Sequence, residues 1–364
     1  MPVPLFDTTT PLAPLRNQIG EKLAEVIDRG TFILGPEVAA FEAEFAGYLG
    51  ARHAAGVANG TDAITLALQA LGVGLGDDVV VPSYTFYASA EAIVNAGARP
   101  VFCDVELESA CMTADSVRAA LTPRTKAVLV VHLYGNVAPV AEIAALGVPV
   151  IEDAAQAAGS QSAAGRPGAL GTLATFSFFP SKNLACFGDG GAVTTNDAQL
   201  DERVRMLRFH GSRDKSTFEL VGHNSRLDEL QAAILRVLLP HLDRWSDGRR
   251  AAAAAYERAG LGELVALPKP VDGAAPAWHL YTVRDPSADA LAGALKTAGV
   301  GHKAYYRVPV HRQPAMREWG AGVELPVTDE LARTGLAVPI SPVLSPEQAG
   351  EVVAAVRATR LQHH

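Results

Sequence analysis

Two stretches decide the fold reading: Pro149-Val-Ile-Glu-Asp153, and Thr175-Phe-Ser-Phe-Phe-Pro-Ser-Lys-Asn-Leu184. Each is a short apolar run that ends in a polar, chemically capable side chain. Similar runs precede and join them: Val79-Val-Val81, Val101-Phe102, Ala127-Val-Leu-Val-Val131 and Val148-Pro-Val-Ile151. Between the runs lie helical patterns such as Ala63-Ile-Thr-Leu-Ala-Leu-Gln-Ala-Leu71 and Ala88-Ser-Ala-Glu-Ala-Ile-Val-Asn95. Strands alternating with helices predict an α/β fold with a mostly parallel sheet. Runs that are apolar throughout, rather than alternating, predict burial on both faces. Ligands in such sheets bind beyond the carboxyl ends of the strands, where Ser83, His132, Asp153 and Lys182 are expected to gather.

Further on, Leu227 to Trp245 carries leucine and isoleucine at helical spacing, and Arg249-Arg-Ala-Ala-Ala-Ala-Ala-Tyr256 reads as a second helix. Trp278-His-Leu-Tyr-Thr-Val283 is expected as a strand, Ala288–Ala298 as a helix, and Lys303–Arg312 as an aromatic and basic loop. The pattern divides the chain into a large domain, 1–245, with an N-terminal arm, and a smaller C-terminal α+β domain, 246–364.

The 364 residues suffice for both units. A formal net charge of −8 argues against nucleic acid or an anionic membrane as the main partner, since both require clustered Lys and Arg. Mean hydropathy is +0.14, and every apolar segment is interrupted well short of the roughly 20 residues a membrane helix needs. Cys103, Cys111 and Cys186 form no metal-spaced pair, so no metal site is expected, and the simple reading is a reduced, cytoplasmic setting. The N-terminus lacks the basic region and long apolar run of a secretory signal. The closing Leu361-Gln-His-His364 reads equally as native or as an added tail.

Lys182 follows Phe176, Phe178 and Phe179 and precedes Gly188-Asp-Gly-Gly191. A lone loop lysine is ordinarily a solvated charge. Apolar surroundings, however, disfavour the ammonium and leave free amine to form an imine with a carbonyl. Asp153, at a strand end, could be only a helix cap. Small neighbours in Ala154-Ala-Gln-Ala-Ala-Gly159 would let a planar ring approach the backbone, with Gln156 offering an amide. A carboxylate that keeps a pyridine nitrogen protonated makes the ring an electron sink, so the lysine and aspartate together suggest pyridoxal phosphate chemistry. Asn59-Gly-Thr-Asp-Ala63 opens a helix, and its Gly60, Thr61 and Asp62 read either as plain capping or as an anion site. Ser177 could add a hydroxyl there, and Phe86 is the best candidate for a flat lid on the ring. In Gly222-His-Asn-Ser-Arg226, Asn224 or Ser225 could cap the helix that follows.

Taken in order, Leu34-Gly-Pro-Glu37, Glu152-Asp-Ala-Ala-Gln156, Phe178-Phe-Pro-Ser-Lys-Asn-Leu184, Gly188-Asp-Gly-Gly191, Gly222-His-Asn-Ser-Arg-Leu-Asp-Glu-Leu-Gln231 and Pro309-Val-His-Arg-Gln-Pro314 resemble the DegT/DnrJ/EryC1/StrS aminotransferases. The resemblance spans essentially the whole chain and includes the spacing of 29 residues from Asp153 to Lys182. It implies a fold-type I architecture and a homodimer with shared active sites. Lys182 would match the lysine that carries pyridoxal 5′-phosphate, Asp153 the partner of the pyridine nitrogen, and Gln156 a contact to the ring. Thr61, Asp62 and Ser177 would match the phosphate binders and Phe86 the stacking aromatic. Asn224 would match a residue that the neighbouring subunit sends to the phosphate.

The resemblance further implies amino transfer, usually from glutamate, to a keto group of a nucleotide-linked sugar. The loop Tyr305-Tyr-Arg-Val-Pro309 looks like that of the branch acting at C3 of dTDP-deoxyhexoses, which makes Tyr306, Arg307 and His311 candidate substrate contacts. Arg307 reads equally as a surface ion pair. Transamination at C4 or of a keto-inositol is the alternative, and a regulatory protein that binds the cofactor without turnover is a third. The chain departs from the family pattern at Ala185, where glycine is common, at Tyr305, where histidine is common, and at Arg307, where proline is common. It keeps lysine at 182, where the family's dehydratase branch carries histidine.

Overall fold

A computed structural model describes residues 3–361. The readings of Met1, Pro2 and the closing Gln362–His364 lie outside the described residues. Seven strands form the central sheet: β1 (His53–Val57), β2 (Asp78–Pro82), β3 (Arg99–Cys103), β4 (Thr125–Val131), β5 (Val150–Asp153), β6 (Leu173–Ser177) and β7 (Gly191–Thr195). Their spatial order is β1-β7-β6-β5-β4-β2-β3. From β6 to β3 every pairing is parallel, whereas β7 runs antiparallel to both β1 and β6.

The expected α/β architecture with a mostly parallel sheet is therefore what forms. The reason is visible in burial: Ala127 through Val131 are all buried, as is every residue of β2, β5 and β7. Continuous apolar strands require cover on both faces. Helix Gly60–Ala70 and helix Ala88–Asn95 pack with Val79, Val81 and Leu129 in one core, while helices Pro36–Leu49 and Glu229–Leu238 close the opposite core over Phe176 and Phe178.

Three local expectations shift. The run Val148–Ile151 enters the sheet only at Val150, because Pro149 has no N–H to donate to a ladder. Asp153 thereby becomes the last strand residue, paired with Thr175 of β6. The helical region Leu227–Trp245 breaks at Pro240 into helix Glu229–Leu238, a 3₁₀ turn Leu239–His241 and helix Leu242–Arg258. Trp278 has φ of +41°, so the expected strand from Trp278 begins only at Tyr281; β8 (Tyr281–Arg284) pairs antiparallel with β9 (Gly335–Val338).

The division placed after residue 245 falls inside the continuous helix Leu242–Arg258. The start of that helix, at Leu242 and Trp245, packs on the first unit. Its end, at Ala252–Tyr256, packs in a second core with Leu291, Val338 and Val352. We infer that this helix links the two units. They are also stitched together, since Val310, Met316 and Leu325 return to the core beside β2.

Candidate active site

Beyond the carboxyl ends of the parallel strands lies a cavity of about 630 Å³, lined among others by Gly60, Thr61, Asp62, Phe86, Asp153, Gln156, Ser177, Lys182 and Tyr306. Nine of the residues singled out from sequence therefore converge on one space.

At one end is the first turn of helix Gly60–Ala70. Asn59 caps it, its side-chain oxygen accepting from the Asp62 amide at 2.8 Å, and the Ala63 amide donates to Asn59 O. The amides of Gly60 and Thr61 are then the ones a helix start leaves without intrahelical acceptors, at the positive end of its dipole. Gly60 is required by packing: a Cβ there would sit 2.7 Å from the Ser177 Cβ and 3.2 Å from its hydroxyl. The capping reading is thus realised through Asn59, with the Asp62 amide committed to the cap, and the Gly60 and Thr61 amides remain free of it.

At the other end, the Asp153 Oδ2 accepts from the Ser89 hydroxyl at 2.8 Å, and Ser89 is itself 3.0 Å from the Thr85 hydroxyl. Asp153 Oδ1 accepts from the Ala155 amide at 3.2 Å. Its neighbour Glu152 points to the opposite face, fully buried. It accepts from the amides of Gly168, Leu170 and Gly171 and from His132 Nε2 at 2.8 Å. His132 Nδ1 accepts from the Ala138 amide, which leaves the proton on Nε2 and fixes the tautomer. The strand end that carries Asp153 is thus held rigidly from behind.

Gln156 is oriented without ambiguity. Its side-chain oxygen accepts from the Tyr134 amide at 2.6 Å, so its NH₂ group is the end left to donate, and one bond reaches the Tyr306 hydroxyl at 3.2 Å. Phe86 is 58% exposed, a large apolar ring facing open space, and sits 6.2 Å from the Tyr306 ring. An exposed phenylalanine in a cavity wall is suited to cover a planar ligand.

Lys182 is half-buried, and burial pulls its amine from 10.5 down to about 8, against the opposing pull of the Asp153 charge. Its neighbour Asn183 donates to Ala277 O at 3.0 Å and lies 3.3 Å from His279 Nδ1 through its side-chain oxygen. His279 therefore donates from Nδ1. Burial and the nearby positive charges of Lys182 and Arg249 hold it well below the ordinary histidine range, hence neutral.

Two predicted substrate contacts are not brought to this cavity, and Asn224, expected to serve a neighbouring subunit, does not line it either. Arg307 pairs with Asp289 at 2.7 Å and donates to Arg333 O, the ion-pair reading of that side chain. His311 is buried against the Ser83 hydroxyl at 2.6 Å and lies near Phe102. Asn224 is exposed and its backbone bridges to Phe209. In their place the structure adds Thr85, Asp189, His279, Lys303 and Tyr305 to the lining. Of these, Thr85 could have been found from its i,i+4 spacing to Ser89. His279 sat in a segment read as strand, where nothing local distinguishes it.

The order of motifs and this geometry agree with the comparison to known proteins. The profile of the DegT/DnrJ/EryC1/StrS aminotransferase family matches residues 14–357. The chain belongs to that family. Members are pyridoxal phosphate-dependent aminotransferases, and this DegT-family chain is an aminotransferase. It is 46% identical over 362 residues to the dTDP-3-amino-3,4,6-trideoxy-α-D-glucose transaminase of Streptomyces venezuelae, covering 98% of this chain and 95% of the relative. It is 45% identical over 361 residues to a protein of Geobacillus stearothermophilus named pleiotropic regulatory protein, covering 97% of each. The crystal structure of S. venezuelae DesV in complex with a ketimine intermediate matches with a TM-score of 0.95 at 44% identity, over 98% of both chains. The DegT-family fold thus extends over the whole described chain. Among the described residues no group of His, Cys, Asp and Glu is arranged to hold a metal ion, and no helix is long and apolar enough to cross a membrane.

Proposed function

We propose that this chain transfers the amino group of glutamate to the C3 keto group of a dTDP-linked deoxy sugar, with pyridoxal 5′-phosphate as cofactor. The observation that carries the reading is one cavity that joins a half-buried lysine, a strand-end carboxylate and an open helix start. The donor set fits the cofactor: an anion cradle that a Cβ at Gly60 would fill, a carboxylate for a ring nitrogen, and a donor-only amide at Gln156.

Bound here, the cofactor supplies an electron sink for the carbanion left when a carbon–hydrogen bond next to nitrogen is broken. The protein does the rest. The Gly60 and Thr61 amides, with the Thr61 and Ser177 hydroxyls, would hold the phosphate at the helix start. Asp153, whose Oδ2 accepts from the Ser89 hydroxyl and Oδ1 from the Ala155 amide, would hold the proton on the ring nitrogen. Gln156 Nε2 would donate to the ring hydroxyl, and Phe86 would cover one ring face and exclude water. Lys182 Nζ, which burial leaves more readily as the free amine, would take up and pass on the proton from the amino donor's α-carbon. The two half-reactions use the same groups in opposite directions.

The C3 position and the dTDP nucleotide are supported by the S. venezuelae transaminase at 46% identity. The similarly close relative named as regulatory supports a second reading, a cofactor-binding regulator. The presence of Lys182, Asp153 and Gln156 in one cavity favours turnover. Absorbance decides between them: glutamate should convert the bound cofactor to its amino form, and a 3-keto dTDP-sugar should convert it back. A spectrum unmoved by any amino donor refutes the transaminase reading. Recovery with 4-keto sugars or keto-inositols alone refutes the C3 assignment. Because the resemblance places Asn224 in a neighbouring subunit's site, the enzyme should run as a dimer in sedimentation.

A further inference from the structure

Arg249, on helix Leu242–Arg258, is only 8% exposed. Its Nη1 donates to Trp278 O at 3.1 Å and Ile340 O at 3.2 Å. Among the described residues no carboxylate pairs with it, and no acceptor meets Nε or Nη2. A buried cation without an anion is costly, and proteins usually resolve it with a partner charge. Burial, with no compensating charge, pulls this guanidinium down to about 10.

The unbonded edge of Arg249 is not sealed in protein. Among the described residues the one fully buried side-chain atom that lacks a hydrogen bond is Thr282 Oγ1. Arg249 instead lines a second cavity, of about 250 Å³, between the N-terminal arm and the lysine loop. This cavity and the large one share Phe6, Ser181 and Lys182, so they meet at the lysine. The acid in its wall, Asp7, is already committed to the amides of Thr9 and Thr10. His279, which feels the charges of both Lys182 and Arg249, is neutral. Among the described residues no carboxylate is left to neutralise the arginine.

We propose that Arg249 receives a carboxylate of the amino donor in the small cavity, so that a dicarboxylic amino acid is held against Lys182. The inference rests on the aminotransferase reading and names the subsite for glutamate within it. Size supports this division of labour. The small cavity suits a five-carbon dicarboxylate, whereas a nucleotide sugar needs the larger, open one. Charge supports it too, since a carboxylate beside a guanidinium makes paired, charge-assisted hydrogen bonds through the two nitrogens that now lack acceptors.

The test uses glutarate, which carries both carboxylates but no amine, titrated calorimetrically into the cofactor-free enzyme. Wild-type protein should bind it, and Arg249→Met should weaken binding at least tenfold while leaving dTDP binding unchanged. Because Arg249 also ties Trp278 and Ile340, a second variant leaves it in place. Ala185 lines the same cavity, and Ala185→Leu fills that space and should weaken glutarate binding similarly. In the loaded enzyme Ala185→Leu should raise KM for glutamate without raising KM for the keto-sugar. Failure of wild-type protein to bind glutarate overturns the proposal. So does unchanged glutarate binding in Ala185→Leu, or a loss of dTDP affinity in place of glutarate affinity. Conversion of the bound cofactor by glutamate with an unaltered KM in both variants overturns the Arg249 subsite alone. Absence of conversion in the wild type overturns the aminotransferase reading instead.

Discussion

Replacing Lys182 by methionine should stabilise the cofactor-free protein, and by an amount that depends on pH in a defined way. Methionine keeps the unbranched stem and removes the amine. In the folded chain the amine sits at about 8 against an ordinary 10.5. At about 1.4 kcal/mol per unit, that depression amounts to about 3 kcal/mol by which the charged form is disfavoured on folding. Below pH 8 the folded state bears the whole penalty. Between pH 8 and 10.5 the folded lysine has lost its proton while the unfolded one still holds it. The unfolded state then binds more protons, so wild-type stability rises with pH. Above about pH 10.5 both forms are neutral and the penalty is gone. Lys182→Met should therefore exceed wild type by about 3 kcal/mol at pH 7 and by roughly half that near pH 9. The pH-dependent advantage should vanish above 10.5. Urea unfolding followed by tryptophan fluorescence at these three pH values measures it. Any gain from burying a thioether is independent of pH, so the slope is the diagnostic. Parallel stability curves for the two proteins from pH 7 to 10.5 would refute the claim that burial makes Lys182 a base.

Other consequences are equally direct. Gly60→Ala places a methyl 2.7 Å from the Ser177 Cβ, so cofactor affinity in equilibrium dialysis should fall by about tenfold or more, and urea unfolding should show a loss of about 1–3 kcal/mol from the overpacking. Glu152→Gln presents an NH₂ group to donors, because the Gly168 amide and His132 Nε2 both point at one carboxylate oxygen. Chemical denaturation should show a loss of about 2–5 kcal/mol. Arg307→Ala removes an ion pair with the exposed Asp289 and an exposed hydrogen bond to Arg333 O, both away from the cavity, so kcat and KM should stay within about twofold of wild type and stability within about 1 kcal/mol.

The division between what was legible and what was not follows range of interaction. Strand and helix identity comes from local pattern, and the runs around Val79, Ala127 and Ile151 were apolar throughout because both sheet faces are covered. That alone predicted a parallel α/β sheet, and it placed Asp153 and Lys182 at its carboxyl edge. The motifs near Asn59, Asp153 and Lys182 converge because each sits where one strand ends, so their meeting was implied by topology.

The basic loop behaved differently. Arg307 and His311 have the chemistry of ligand contacts, but their side chains are taken by Asp289 and Ser83, residues 18 and 228 positions away. No local pattern reports such partners. Pro240 and Trp278 likewise altered elements through a missing donor and a positive φ that hydrophobic periodicity does not register.

The sequence by itself determined the sheet and the placing of Lys182, Asp153 and the helix start at Gly60 around one cavity, because these arise from short-range periodicity and from where strands end. Only the tertiary structure decided which polar side chains remained free. It tied the Gln156 oxygen to Tyr134, closed Glu152 onto His132, and left Arg249 buried without an acid at the edge of a second cavity. Availability of a side chain depends on desolvation and on partners far along the chain, and those exist only once the chain is packed.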